Sequence, residues 1–244
     1  MATIGDRLVE TMQALGQACE ALTFEPPVAY VYNPLVYAWA PYADYLHRYA
    51  HSGIEAVLVG MNPGPFGMLQ TGIPFGDVGV VRDWLGIEGV VEPPPRQHPK
   101  RPVQGFAIRR GEVSGRRVWG WARERFQTPE RFFAHFFVIN YCPLGLFDAS
   151  GANLTPDALR GAQRDALYAV CDQALSDVLC LLQPKAAIGV GRFAEQRLQA
   201  VVPALNIRAM GVTHPSPANP RSHGGWGPHM DAVAAELGLS TPEK

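Results

Sequence analysis

The sequence predicts an α/β fold: three layers, α/β/α, around a central, mostly parallel four-stranded sheet. Three observations carry that expectation. Four short apolar runs are too short for helices, and three of them are plainly β-branched or aromatic. Helical patterns fall between the runs, which favours parallel strands joined by helical crossovers. No repeat or low-complexity tract interrupts the alternation, so residues 1–244 read as one domain with an N-terminal helical extension over about residues 1–33.

Taken in order, the strands are expected at Glu55–Gly60, Phe136–Asn140, Ala186–Val190 and Ile207–Val212. The clearest helix is expected over Pro156–Leu182, with Thr155 as N-cap and Pro156 in the first turn. Its apolar stripe is Leu159, Ala166, Val170, Ala174, Val178 and Leu182. Further helices are expected at Asp6–Leu22, Tyr42–Tyr49, Arg192–Ala200 and His229–Leu237. Residues 93–102 are too rich in proline for a helix or a sheet interior and read as a long, flexible surface loop.

Composition narrows the class. Hydrophobic residues at 47% and charged residues at 18% suit a soluble globular chain. No apolar run approaches the roughly 18 residues of a membrane span. Asp6 and Glu10 break any basic-then-apolar leader, so a cytoplasmic protein that is not secreted is expected. Cys19, Cys142, Cys171 and Cys180 lack the close spacing of a metal knuckle, so reduced thiols and no metal are expected. Cys171 and Cys180 read as buried small hydrophobes in a helix. The net charge of −1 hides an asymmetry: residues 96–131 hold ten Lys/Arg against Glu112, Glu124 and Glu130, a local +7. A basic surface of that kind permits contact with phosphates.

An open parallel sheet places ligands at the carboxyl ends of its strands. The first strand runs into Gly60-Met61-Asn62-Pro63-Gly64-Pro65-Phe66-Gly67, a loop that glycine lets approach a ligand and proline pre-shapes. Neither G-x-x-x-x-G-K-[ST] nor G-x-G-x-x-G occurs there, which speaks against a nucleotide cradle. The second strand ends at Asn140, whose carboxamide offers a donor beside an acceptor, matching the O4 and N3–H edge of uracil. The fourth ends in Thr213-His214-Pro215-Ser216-Pro217-Ala218-Asn219-Pro220-Arg221, a stiff mount for one histidine and a shape suited to a DNA backbone or minor groove. Each motif alone also admits a plain structural role: a turn cap for Asn140, a rigid surface turn for the His214 loop.

Together the three segments resemble the single-strand-selective monofunctional uracil-DNA glycosylases of the uracil-DNA glycosylase superfamily. The matching stretches are 60–68, Asn140-Tyr141-Cys142-Pro143-Leu144 and His214-Pro215-Ser216-Pro217, with further similarity at 151–156 and 189–197. The resemblance runs in family order from about Pro34 onward. It implies that Asn62 places the hydrolytic water and that His214 stabilises charge on the departing base. It also implies that Asn140 reads the pyrimidine edge, that Phe75 stacks on it, and that Met61, Gly64 and Phe66 line the pocket. Residues around 150–164, among them Asn153, Arg160 and Arg164, would contact the DNA strand. The loop carrying Pro215, Ser216, Pro217, Ala218, Asn219, Pro220 and Arg221 would enter the duplex. Metazoan relatives carry an arginine where this chain has Ala218, so a bulky wedge is missing.

The resemblance therefore implies base release from uracil-containing DNA, single- or double-stranded, with no cofactor, in the nucleoid or nucleus; a monomer is the default expectation. Uracil, with 5-hydroxymethyluracil and related oxidised pyrimidines, is the substrate range it implies. The glycosidic bond breaks with positive charge growing on the sugar and negative charge on the base, so a flipped nucleotide must be met on both sides. A histidine N–H facing the base in a dry pocket meets the second charge. Asn62 is no base and serves to orient water. A lyase step needs an amine, and Lys100, Lys185 and Lys244 all lie outside the motifs. Hydrolysis of free nucleosides, or recognition of damaged bases without cutting, are the alternative activities.

Overall fold

The structure, a computed structural model, describes residues 2–240. In chain order the elements are α1 (Ile4–Glu20), β1 (Tyr30–Tyr32), α2 (Pro34–Tyr37), α3 (Trp39–Tyr49), β2 (Ala56–Gly60), α4 (Met68–Thr71) and α5 (Val78–Asp83). There follow α6 (Val113–Phe126), α7 (Pro129–Phe133), β3 (Phe136–Asn140), β4 (Gly145–Phe147), β5 (Asn153–Leu154) and α8 (Gly161–Leu182). Last come β6 (Ala186–Val190), α9 (Arg192–Val201), β7 (Arg208–Val212) and α10 (Gly227–Leu237).

The four expected strands form one sheet in the order β3-β2-β6-β7, every pair parallel. β2, β3 and β6 are buried along their whole length, as strands covered on both faces must be. Side chains alternate across the sheet, and β3 shows the two layers directly. Phe136 meets Trp121 of α6 and Phe132 of α7, whereas Phe137 meets Tyr45 of α3. Helices α1, α3 and α8 pack together on the Phe137 side; α6 and α10 cover the other. Asn140 lies four residues beyond Phe136 and so belongs to the α6 side.

Several elements depart from the sequence reading. The long helix begins at Gly161, not Pro156: Pro156–Ala158 form a 3-10 turn, Leu159 is extended, and Gly161 takes φ +60°. The Thr155 side chain caps no helix. Of the expected stripe, Ala174, Val178 and Leu182 are buried on α8, whereas Ala166 is exposed and Val170 half-buried, their places in the first turns being taken by Leu167 and Cys171. Cys180 is exposed, on the outer side of α8, in contrast to the buried Cys19, Cys142 and Cys171; all four are free thiols. Hydrogen bonds that the Cys171 thiol makes to Cys142 and Cys19, with burial, push it well above its ordinary value.

Two features were not foreseen. A second, antiparallel sheet, β1-β4-β5, forms from strands of two and three residues, below the length at which alternation is visible. Helix α6 lies inside the basic segment, its N-terminus capped by Glu112, whose carboxylate accepts from the amides of Ser114 and Gly115 at 3.1 and 2.7 Å. The proline-rich loop is also tied down. His98, buried, receives the Lys100 amide at Nδ1 (3.1 Å), its Nε2 meets the Ala149 carbonyl, and Tyr32 donates to the Arg101 carbonyl at 2.8 Å. Expected flexibility gives way here because one buried imidazole and one buried phenol satisfy the loop's backbone.

Candidate active site

The loop after β2 and the loop after β3 are laced into one unit. The Tyr141 and Cys142 amides donate to the carbonyls of Gly60 and Met61, each at 2.9 Å, extending the parallel ladder past the strand ends. The Met61 carbonyl thereby accepts one hydrogen bond from the frame and keeps its second lone pair. Asn62 donates from Nδ2 to the Leu144 carbonyl at 3.2 Å. That bond fixes the carboxamide with its oxygen left as the acceptor.

Gly60 and Asn140 are register partners. A Cβ on Gly60 would sit 2.3 Å from Asn140 Oδ1 and 2.8 Å from two ring carbons of Phe75. Glycine is therefore required for the carboxamide and the ring to close on the strand end. Asn140 is 8% exposed, and its Nδ2 donates to the Met68 sulfur at 3.2 Å, a weak acceptor that an incoming carbonyl oxygen replaces at little cost. Phe75, 9% exposed, holds φ +55°, a left-handed conformation that costs a bulky residue about 1–3 kcal/mol. Its surroundings enforce it: Thr71 donates to the Gly76 carbonyl at 3.0 Å, and Gly115 of α6 lies directly against the Phe75 carbonyl. Gly64 faces Glu112: a Cβ there would stand 3.9 Å from that side chain, in ordinary van der Waals contact. Burial pushes the Glu112 carboxyl up, against the pull of its amide donors.

His214 enters from the end of β7. The Ser216 amide donates to its Nδ1 at 3.0 Å. In the neutral ring Nδ1 is then the acceptor and Nε2 carries the proton. Burial pushes the imidazole below its ordinary value of 6.5, which keeps it neutral near pH 7. The ring rests on Gly191 at the end of β6, where a Cβ would come within 3.3 Å of it. The mount is held from behind: the His214 carbonyl accepts from Asn219 Nδ2 (2.9 Å) and Ser222 Oγ (2.6 Å). Trp226 Nε1 donates to the Thr213 carbonyl (2.6 Å), and Arg117 of α6 to the Pro215 carbonyl (2.7 Å).

The sequence-derived residues thus divide. Asn62, Gly64, Phe75, Asn140 and His214 come from the ends of β2, β3 and β7 and the turns beside them. The ring of Phe66 instead lies under Arg110, 3.9 Å from its guanidinium carbon. In the expected wedge, Pro217, Ala218, Pro220 and Arg221 are exposed, Pro215 is buried, and Asn219 turns inward as a brace. The His223 ring bonds the Pro217 carbonyl. Arg160 folds its guanidinium onto the carbonyls of Asp157 and Leu159, Arg164 pairs with Asp165, and Asn153 is exposed on β5. Sequence reasoning placed Ser216 in the duplex-entering loop but missed its amide as the partner of His214, and it missed Leu144 and Gly191, since each contributes a backbone group or an absent side chain. Among the described residues no group of three or more His, Cys, Asp or Glu could hold a metal ion.

The fold is a doubly covered parallel α/β domain whose strand-end loops and neighbouring turns carry Asn62, Phe75, Asn140 and His214. A family model for the Uracil DNA glycosylase superfamily matches residues 47–237. The chain is 44% identical to the single-strand selective monofunctional uracil-DNA glycosylase of Rattus norvegicus over 239 residues, 97% of this chain and 86% of that one. It is 47% identical to the protein of that name from Bos taurus over 227 residues, 92% of this chain and 84% of the other. The crystal structure of wild-type Pedobacter heparinus SMUG2 shares the fold, with TM-score 0.69, 19% identity and 98% of each chain covered. This chain belongs to the uracil-DNA glycosylase superfamily.

Proposed function

We propose that the chain is a monofunctional DNA glycosylase that hydrolyses the N-glycosidic bond of uracil in DNA and so initiates base excision repair. The observation that carries the reading is the Ser216 amide on His214 Nδ1, which leaves the Nε2 proton as a donor. As the bond from C1′ to the base breaks, its electron pair passes to the base, and Nε2–H meets the charge that gathers on O2. A preorganised donor of this kind is worth roughly a hundred- to a thousandfold in rate. Water, held by the Asn62 oxygen, adds to C1′; its hydroxyl stays on the sugar and its proton leaves to solvent or to the departed base. Asn140 offers N–H to O4 and its oxygen to N3–H, and Phe75 stacks on the ring. Lys185 pairs with Glu55 at the amino ends of β6 and β2, opposite the pocket loops, and Lys100 directs its Nζ to the Ser150 carbonyl, which supports hydrolysis without a lyase step; Lys244 lies outside the described residues.

The missing side chain at Gly64, where a Cβ would meet nothing nearer than Glu112 at 3.9 Å, supports 5-hydroxymethyluracil and related oxidised pyrimidines as further substrates. In the same reading the chain is one catalytic domain acting as a monomer on single- or double-stranded DNA, in the nucleoid or nucleus. Among the described residues no helix is long and apolar enough to cross a membrane. The test is incubation with a labelled uracil-containing oligonucleotide, with uridine, and with an undamaged control. Release of uracil from the oligonucleotide alone is expected; cleavage of the free nucleoside with an intact oligonucleotide overturns the reading.

A further inference from the structure

A groove of about 380 Å³ opens beside the pocket loop, with Phe66 on one wall and residues 107–110 on another. That volume lies within the range of ligand sites, about 300–1,000 Å³. Lys100, Arg101, Arg109 and Arg110 line it, and no acidic side chain does. The Arg110 guanidinium lies 3.9 Å over the Phe66 ring, and Arg101 is 5.9 Å from the same ring.

The groove is built rather than incidental. Gln70, 2% exposed, donates from Nε2 to the carbonyls of Pro65 (2.9 Å) and Pro102 (3.2 Å), and its Oε1 accepts from the Gln104 amide (2.8 Å). One buried carboxamide thus clamps the pocket loop to the basic loop. Arg101 is spent on that frame, since its Nε donates to the Gly151 carbonyl. Arg109 and Arg110 are exposed.

Concentrated cations suit phosphates, and a guanidinium stacked on a ring presents a π-face to an unpaired base. Phe66 follows Asn62 by four residues, at most about 14 Å of extended chain, so an occupant of the groove lies next to the pocket. We propose that this groove holds the unpaired strand on one flank of the extruded nucleotide. Phosphates lie against Lys100 and Arg109, and a neighbouring base lies on the Arg110–Phe66 stack. The proposal rests on the glycosylase reading for its place in a reaction. An acidic peptide would match the charge but would leave the stacked face unused.

The experiment uses the full chain and single-stranded oligonucleotides with one uracil. A short form is compared with forms extended by about eight nucleotides on the 5′ or the 3′ side, a length typical of single-strand sites. Extension on one side is expected to lower KM about tenfold, as one stacked base allows, with kcat unchanged. In Arg109→Ala/Arg110→Ala that gain disappears, and the salt slope of binding shrinks by about 0.7 per lost phosphate contact. An extension gain equal on both flanks, or one unaltered in the double variant, overturns the groove assignment. Should the wild type release no uracil from any form, the glycosylase reading fails instead. Anisotropy with a uracil-free oligonucleotide then still decides the groove: unchanged affinity in the double variant refutes it, and competition by a poly-glutamate peptide but not by the oligonucleotide does likewise.

Discussion

The Ser216 amide and the His214 ring are joined by a 3.0 Å hydrogen bond into Nδ1, and that bond selects which ring nitrogen carries the proton. Removing the ring in His214→Ala is expected to lower the single-turnover excision rate about a hundred- to a thousandfold, with DNA affinity retained. Ser216→Pro deletes the amide donor, together with the hydroxyl that accepts from the Ala218 amide, and leaves the ring in place. It should cost less, about tenfold, and ¹⁵N spectra of the imidazole should show both tautomers.

Burial gives the same histidine a pH signature. Its folded value lies below 6.5 while the unfolded chain titrates at the ordinary value, so the unfolded state binds the proton first. The stability His214 contributes is complete above about pH 6.5 and is lost as pH falls toward the folded value. Protonation also turns Nδ1 into a donor facing the Ser216 amide. The excision rate should therefore decline on the acid side. The difference in Tm between pH 7.5 and a pH below 6.5 should be smaller in His214→Gln than in the wild type; an equal difference contradicts the assignment.

Asn62 and Leu144 make a comparable pair. With Nδ2 donating to the Leu144 carbonyl, Asn62→Ala loses the water's acceptor and leaves that carbonyl with only the weak Cys142 thiol donor. Rate is expected to fall more than tenfold in kcat with KM little changed, because a water held only for attack contributes to the transition state and not to base binding. A rise confined to KM would assign Asn62 to base recognition instead.

At Gly60 the prediction is steric. Alanine would bring Cβ to 2.3 Å from Asn140 Oδ1, so either the carboxamide or the Phe75 ring must move. Gly60→Ala should cost about 1–3 kcal/mol in chemical denaturation and reduce excision at least tenfold. Retained activity with an unshifted midpoint would show that the pocket wall tolerates displacement.

How much of this was legible in the sequence depends on the length scale of each signal. The parallel sheet was, because three buried strands and a partly buried fourth, each of five residues, leave continuous apolar runs, and the strands end where Asn62, Asn140 and His214 stand. The start of α8 was not, because Gly161 at φ +60° breaks a pattern that periodicity carried straight through. Charge counting saw the basic segment but not how it is used. Arg116 is paired with Asp77, Arg117 holds the Pro215 carbonyl, and Arg125 is paired with Asp231, so those cations brace the fold. Phe66 illustrates the same limit. Its place in the pocket loop suggested contact with the base, and only the fold brings Arg110 onto its ring.

Gln70 gives the molecule a single hinge pin where two parts would otherwise adjust separately. Any change that widens the basic groove by shifting Pro102 also pulls on Pro65, three residues from Asn62. Choice of neighbouring sequence and choice of damaged base are therefore not independent traits in this chain. A lineage or an engineer selecting for one will find the other moving with it.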